Sequence, residues 1–454
     1  MHHSLLRSLA CLAACFASLT ASAAALLDPA LAQRIAASSG PHEVIVTFKK
    51  SGDVAALAVL GVKFIPLQKL PMAGALLTSA QIQTVSRWNS VASIYYNARL
   101  RYSNYTSGEI TGGHYVHDAL AVKGAGTTVA VLDSGIDATH PDLAFGSKTV
   151  QNVKLVADLG LVGISIPIEN VPNTDTTSGH GTHVAGTVGG TGAASAADER
   201  RPYYFAGIAP EASLIGISAG EGIAILHALE GFDWALANQQ RYSIDVITNS
   251  WGGGDGSAFD PNNPINVASY EAYRRGMVVT FAASNSGPDE DTLNQYAIAP
   301  WVINVAAGTA TKQLADFSSR GVAGDAIKHP DVTAPGNEIT STRAVGTAIG
   351  AMGPVVDPAH PEYTLRYHTI SGTSMATPFV AGTAALLLSV NPQLSPDQIE
   401  EILIQTADPM PGYVLHQVGA GYIDVREAVE VATTTPGERA SFLAGDTKWS
   451  PQGH

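Results

Sequence analysis

The sequence predicts an α/β protein with a mostly parallel central sheet and helices on both faces, preceded by a small α+β unit. Three observations lead there. From about Gly113 onward, apolar runs such as "TTVAVLD", "DVITNSW", "MVVTFAAS" and "WVINVAAG" alternate with helical segments such as "AILHALEGFDWALANQQ". Continuous apolar strands between helices indicate a parallel sheet covered on both sides. These runs end in small or polar residues, and sites in such sheets gather at the carboxyl ends of strands. Before them, residues 43–97 read strand, helix, strand, strand, helix, strand, which is the split-βαβ (ferredoxin-like) order.

The totals agree with a globular chain of more than one domain. The chain has 454 residues, of which 45% are hydrophobic and 14% charged. A formal net charge of −14 argues against nucleic-acid binding, which asks for a basic face.

The first residues, "MHHSLLRSLACLAACFASLTASAAALLDPA", carry one Arg, an apolar run and small residues at Ala21-Ser22-Ala23. This reads as a secretory signal peptide over 1–23, rather than a first core helix. Both cysteines, Cys11 and Cys15, fall inside it. Disulfides therefore play no part in the remainder. "LAAC", ending at Cys15, also matches a lipoprotein cleavage box, so a lipid anchor on Cys15 is the alternative to a freely secreted, extracellular chain. Residues 24–42 are expected to be a linker, 43–102 the small α+β unit, 103–435 the α/β domain, and 436–454 a polar tail that frays.

Four places carry chemistry. In "VAVLDSGIDATHPDL" an apolar strand delivers Asp133 to its end beside Gly135, although a turn aspartate is common there. In "SGHGTHVAG", Gly179 and Gly181 flank His180 and leave an imidazole accessible, as acid–base work requires. His183 follows one helical turn later. Two histidines so spaced raise the question of a metal, but the H-E-x-x-H zinc signature is absent. In "ISGTSMATPFVAG", Ser374 stands before a long uncharged run reaching Val390. That run approaches membrane-spanning length. Pro378, expected in the first helical turn, and the many small residues favour a buried central helix instead. A serine at its N-terminus gains from the helix dipole, which favours developing negative charge. In "FAASNSGP", Asn285 ends an apolar strand. An amide there can donate to an oxyanion, or simply make a turn. Asp, His and Ser in that chain order are the subtilisin-type arrangement, whereas α/β-hydrolases run Ser, Asp, His.

At this point the sequence resembles the subtilases, the subtilisin-like serine peptidases. "VLDSGIDATHPDL", "HGTHVAGTV", "GIAPEASL", "ITNSWGGG", "AASNSG" and "SGTSMATPFVAG" match that family's motifs in order, from about Tyr102 to Ala432. More weakly, 43–102 resembles the family's inhibitory propeptide. The resemblance implies Ser374 as nucleophile, His180 as general base and then acid, and Asp133 as the orienting carboxylate. It implies Asn285 and the Ser374 backbone N–H as the oxyanion hole. Ser250, Trp251 and Gly252 match the strand that pairs with extended substrate, and His183 becomes structural. It further implies polypeptide substrates, a monomer inhibited by its own propeptide until that is removed, and no cofactor in the chemistry. Asp142, in "HPDL", matches a calcium ligand of many relatives.

The sequence departs from shorter members in two places. "GGTGAASAADERRPYY", 189–204, is longer than the usual loop after the histidine helix, and that loop often completes the calcium site. "AVGTAIGAMGPVVDPAHPEYTLRYH", 344–368, is also extended, and is expected either to shape the cleft or to decorate the surface. Sedolisin-like peptidases share an SGTS-type motif but use Glu in place of His180. A peptide-binding pseudoprotease would have lost a triad member, and none is lost. The walls near Ser250–Gly253 and Ala282–Ser284 suggest an apolar P1 side chain.

Overall fold

The computed structural model describes residues 25–97, 101–102, 111–158, 164–220, 224–351, 356 and 360–451. The signal-peptide and Cys15 expectations lie outside the described residues.

The N-terminal unit starts earlier than its pattern suggested. The expected linker at 24–42 is structured instead. Asp28 accepts from the Ala30 and Leu31 N–H groups and Pro29 takes the first helical position, so a helix, α1 (Pro29–Ala37), forms. The preceding strand β1 (Leu26–Leu27) pairs parallel with β5. The split-βαβ elements follow: β2 (Pro41–Phe48), a 3₁₀ helix (Ser51–Leu60), β3 (Phe64–Pro66), β4 (Met72–Thr78), α2 (Ser79–Val85) and β5 (Val91–Tyr96). The sheet order is β1-β5-β2-β4-β3. Strand β2 splits its side chains between two cores. Val44 and Val46 face the unit's own helices, while Ile45 joins the core of the large domain. The unit is thus docked through one sheet face.

The large domain holds an eight-stranded sheet of order β15-β14-β13-β11-β7-β10-β8-β9. After β6 (Arg101–Tyr102) and α3 (Gly113–Asp118) come β7 (Thr128–Asp133), β8 (Thr149–Asp158), β9 (Ile164–Ile168), α4 (His180–Gly189), β10 (Ser213–Ser218), α5 (Ile225–Tyr242), β11 (Val246–Asn249), β12 (Trp251–Gly252), α6 (Pro264–Tyr273), β13 (Val278–Ala282), β14 (Ile303–Gly308) and β15 (Val332–Pro335). All its pairings are parallel except β8–β9. The four apolar runs read from the sequence are β7, β11, β13 and β14. Strands β8, β9, β10 and β15 escaped that reading because polar residues or brevity break their apolar runs.

Beyond β15 lie β16 (Ile339–Thr342), β17 (Tyr367–Ile370), α7 (Thr373–Val390), α8 (Pro396–Gln405), α9 (Leu415–Val418), α10 (Val425–Thr434) and α11 (Arg439–Leu443). The alternation of β7 shows why helices cover both faces. Val129 and Val131 pack with α4, α7 and α10, whereas Ala130 and Leu132 pack with α5 and α6. Among the described residues, α7 is the helix long and apolar enough to cross a membrane, and 89% of that window is buried inside the protein. It is therefore the central helix of the first face. Of the tail expected to fray at 436–454, the described residues 436–451 do not. They include α11, whose Phe442 is buried edge-on against Tyr273.

Phe442→Ala should destabilise the folded chain by about 3–5 kcal/mol, the usual loss for a buried aromatic. Chemical denaturation checks this. A change under about 0.5 kcal/mol, typical of a surface site, would mean that the tail is not part of the core.

Candidate active site

Asp133 is the last residue of β7 and is fully buried. Its Oδ1 accepts from the Ser134 N–H at 2.7 Å and lies 2.7 Å from His180 Nδ1. His180 opens α4. Two glycines let it reach Asp133. Gly179 has φ +86°, and a Cβ there would collide with Thr347. Gly181 lies against the turn after β7, where a Cβ would collide with the Gly135 carbonyl. The turn is pinned by Asp175, which accepts from the Gly179 N–H, the Thr182 N–H and hydroxyl, and the Ser134 hydroxyl. Burial pushes the Asp175 carboxyl above its usual range. Sequence reading missed Asp175, although an acid a few residues ahead of a helix start is a capping signal.

Ser374 is the second residue of α7 and is fully buried. Its hydroxyl donates to the Ser250 carbonyl at 2.9 Å, and the Ser250 hydroxyl donates back to the Ser374 carbonyl at 2.9 Å. Proline explains the second bond. Pro378 lies one turn further in than expected, inside the helix. It has no N–H to offer the carbonyl four residues back, which is that of Ser374. The Ser250 hydroxyl takes its place, tying α7 to the end of β11.

Asn285 lies just past β13. Its Oδ1 accepts from the Thr373 N–H at 2.8 Å and from the Thr373 hydroxyl at 3.0 Å. A backbone N–H can only donate, so this bond identifies the oxygen. The buried Nδ2 has no hydrogen-bond partner among the described residues. It is a donor held ready beside the first turn of α7. Trp251 has its side chain in the core, its indole N–H donating to the Leu132 carbonyl at 2.7 Å. Its backbone, with that of Gly252, forms β12. This strand pairs antiparallel with β6, Trp251 opposite Tyr102 and Gly252 opposite Arg101.

His183 does not converge with His180 on a metal. Its Nε2 lies 3.0 Å from the Ile339 carbonyl, and its ring packs on His368 with centroids 5.0 Å apart. The calcium expectation for Asp142 does not fit its surroundings either. Asp142 is fully buried, with Oδ1 accepting from the Ala194 N–H and Oδ2 from the Tyr367 hydroxyl. Both donors aim positive ends at the carboxylate, where a calcium site needs 6–8 oxygens. No cluster of three His, Cys, Asp or Glu suited to a metal occurs among the described residues. The two extended loops make this arrangement together. Ala194 comes from the first and Tyr367 from the second, and Phe205 packs on Tyr363 and Tyr367. The second loop also reaches the loop before His180, through Ala348 N–H to Thr177 and Ile349 N–H to Ser178.

The subtilase family model matches residues 124–421. The chain is 32% identical to serine protease AprX of Bacillus subtilis over 77% of each chain. It is 34% identical to subtilisin E of Bacillus subtilis, over 68% of this chain and 66% of that one. Fervidolysin from Fervidobacterium pennivorans, described as a keratinolytic enzyme related to subtilisin, superposes with a TM-score of 0.62 at 21% identity. That likeness, one of fold, covers 90% of this chain and 63% of fervidolysin. The chain belongs to the subtilase family of serine peptidases.

The buried histidine pair gives this site an acid limit. Burial holds His183 well below the ordinary imidazole value and brings His368 down to about 3. Between pH ~6.5 and ~3 the unfolded chain therefore binds more protons than the folded one. Stability should be highest above the unfolded value and fall as pH drops through this window. Each unit of separation is worth about 1.4 kcal/mol. Denaturant midpoints of an inactive variant at pH 7.5 and pH 5 check this, and His368→Phe should flatten the slope.

Proposed function

We propose that this chain is an exported serine endopeptidase, made as an inhibited precursor, that cleaves peptide bonds through an acyl-enzyme. The observation that carries the reading is the buried contact between Asp133 and His180 Nδ1. With the ring's N–H directed at the carboxylate, Nε2 carries the lone pair that a general base needs. For the serine to act, its hydroxyl must turn from the Ser250 carbonyl toward His180. The serine oxygen then attacks the scissile carbonyl as His180 takes its proton. His180 returns that proton to the leaving amine, water is activated in the same way, and the acyl group is released. Asn285 Nδ2 and the Ser374 N–H, one of the free donors at a helix start, receive the developing oxyanion. No cofactor is needed for any step, and a monomer suffices.

The unit at 43–102 is proposed as the inhibitory propeptide. Support comes from three contacts. Strand β6 lies along β12 where an extended substrate would pair. Asp233 of α5 accepts from the N–H groups of Gln68, Lys69 and Leu70. Asn97 accepts from the Leu226 N–H, which has no partner within α5 because it lies in the first turn. Export is proposed from the leader's composition. A peptide-binding pseudoprotease is the competing reading.

Ser374→Ala should abolish fluorophosphonate labelling and leave only the small residual rate expected from binding and oxyanion donors. It should also accumulate the long precursor, whereas wild type should mature to a chain starting within about ten residues of Tyr102. Intact mass of both secreted forms decides the matter. Identical trimming of the serine variant in a protease-deficient host would rule out self-processing.

Asn285→Leu removes the idle donor at similar size, together with the acceptor that holds Thr373. It should lower kcat by about 10²–10³ with little change in KM. A large rise in KM at unchanged kcat would instead make Asn285 a ground-state contact.

A further inference from the structure

The N-terminal unit meets α5 over a cavity of about 370 Å³. Residues 65–68 of the unit wall one side of it, and α5 with β8 and β9 walls the other. Asp233, on the α5 side, is satisfied by three N–H groups of the unit. Glu230 lies one turn earlier on the same helix and also lines the cavity. It has no such donors. The residue is only 5% exposed, and neither carboxylate oxygen has a hydrogen-bond partner among the described residues. A charge so placed is unstable, and a buried carboxylate without donors takes up a proton instead.

The charges around Glu230 do not relieve this. On α5 its titratable neighbours one turn away are His227 and Asp233. Glu169, just past β9, is engaged by the Trp234 indole N–H and by Arg241. Lys154 of β8 donates to the Thr174 carbonyl. Lys69 of the unit bears on Asp233. Burial therefore pushes the Glu230 carboxyl up to about 7, with the Ser165 hydroxyl of β9 opposing and the Asp233 charge adding to the push.

The unit is what closes this cavity. With residues 65–68 gone one wall is missing, water reaches Glu230, and its carboxyl returns toward the ordinary glutamate value of ~4.3. A group whose value is higher docked than undocked takes up a proton on docking. The docked state is then favoured in full below the undocked value, and the advantage is lost as pH rises through the docked value. We propose that Glu230 is a pH latch, holding the inhibitory unit on the peptidase in acid and loosening it at neutral and alkaline pH. The latch rests on the proposed inhibitory role of the unit and supplies the condition for its release.

The test uses the freshly refolded full chain, wild type and Glu230→Gln, mixed with a fluorophosphonate at pH 5.5 and at pH 8. The initial labelling rate is divided by that of the matured enzyme at the same pH, which removes the titration of His180. For wild type this ratio should rise between the two pH values by on the order of 10–100-fold, because changes in affinity appear mostly as changes in dissociation. Glu230→Gln imitates the protonated carboxyl, so its ratio should stay low and nearly flat. Glu230→Leu cannot ionise either and should be equally flat. A ratio that rises as steeply in both variants as in wild type overturns the latch alone, and so does a wild-type ratio that is flat but well below one. A ratio of one at both pH values means that the attached unit never slows labelling, and overturns the inhibitory reading with the latch. A matured chain that takes up no fluorophosphonate overturns the proposed function as a whole.

Discussion

Asp133 is a carboxylate at the end of a fully apolar central strand, and a charge taken out of water needs donors close by. Those donors are its neighbour's N–H and the His180 ring. To bring the ring there, the start of α4 must touch the turn after β7. That closeness explains the two glycines around His180 and the second buried acid, Asp175, which ties turn and helix together. The helix that results has all its residues buried and none charged. It can only exist under a cover, and α7 provides one. Gly382 of α7 sits over the end of α4, where a Cβ would crowd the Val188 carbonyl and Ile208.

The same packing decides where Ser374 stands. An uncharged helix buried to Leu388 draws its place from area removed from water, at about 25 cal/mol per Å². Individual hydrogen bonds contribute about 1 kcal/mol each. Packing therefore sets the helix position and polar contacts set its register. Thr373 is bonded to Asn285 and Ser374 to Ser250, so the start of α7 is tied to the ends of β13 and β11. The missing N–H of Pro378 is part of this device, since it leaves the Ser374 carbonyl open to Ser250.

Around this centre, the two extended loops do structural work of another kind. The two long loops meet over Asp142 and fill its surroundings with a hydroxyl, an N–H and aromatic rings. The second loop also braces the approach to His180, so it is not surface decoration. The N-terminal unit sits on the opposite face of the sheet. It meets α5 and α6 through an apolar sheet face and adds the Asp233 and Asn97 contacts at its edge.

The motifs around Asp133, His180, Asn285 and Ser374 were legible because each lies on or just past an element with a strong local pattern. An apolar strand or a small-residue helix, closed by glycine or asparagine, marks its own end. The parallel sheet and the split-βαβ order followed from the same periodicities. Local pattern was silent where partners come from far along the chain. Helix α1 did carry a local signal, Asp28 capping it before Pro29, but the fold of the tail depends on Phe442 meeting Tyr273. Asp175 looks like a turn residue until its partners are seen. Asp142 looked like a metal ligand until Tyr367, more than two hundred residues away, was found donating to it. The sequence by itself determined which elements form and which residues stand at their ends, since those depend on near neighbours. Only the tertiary structure decided which buried polar atoms are satisfied and by what, because that depends on distances between segments that no local pattern encodes.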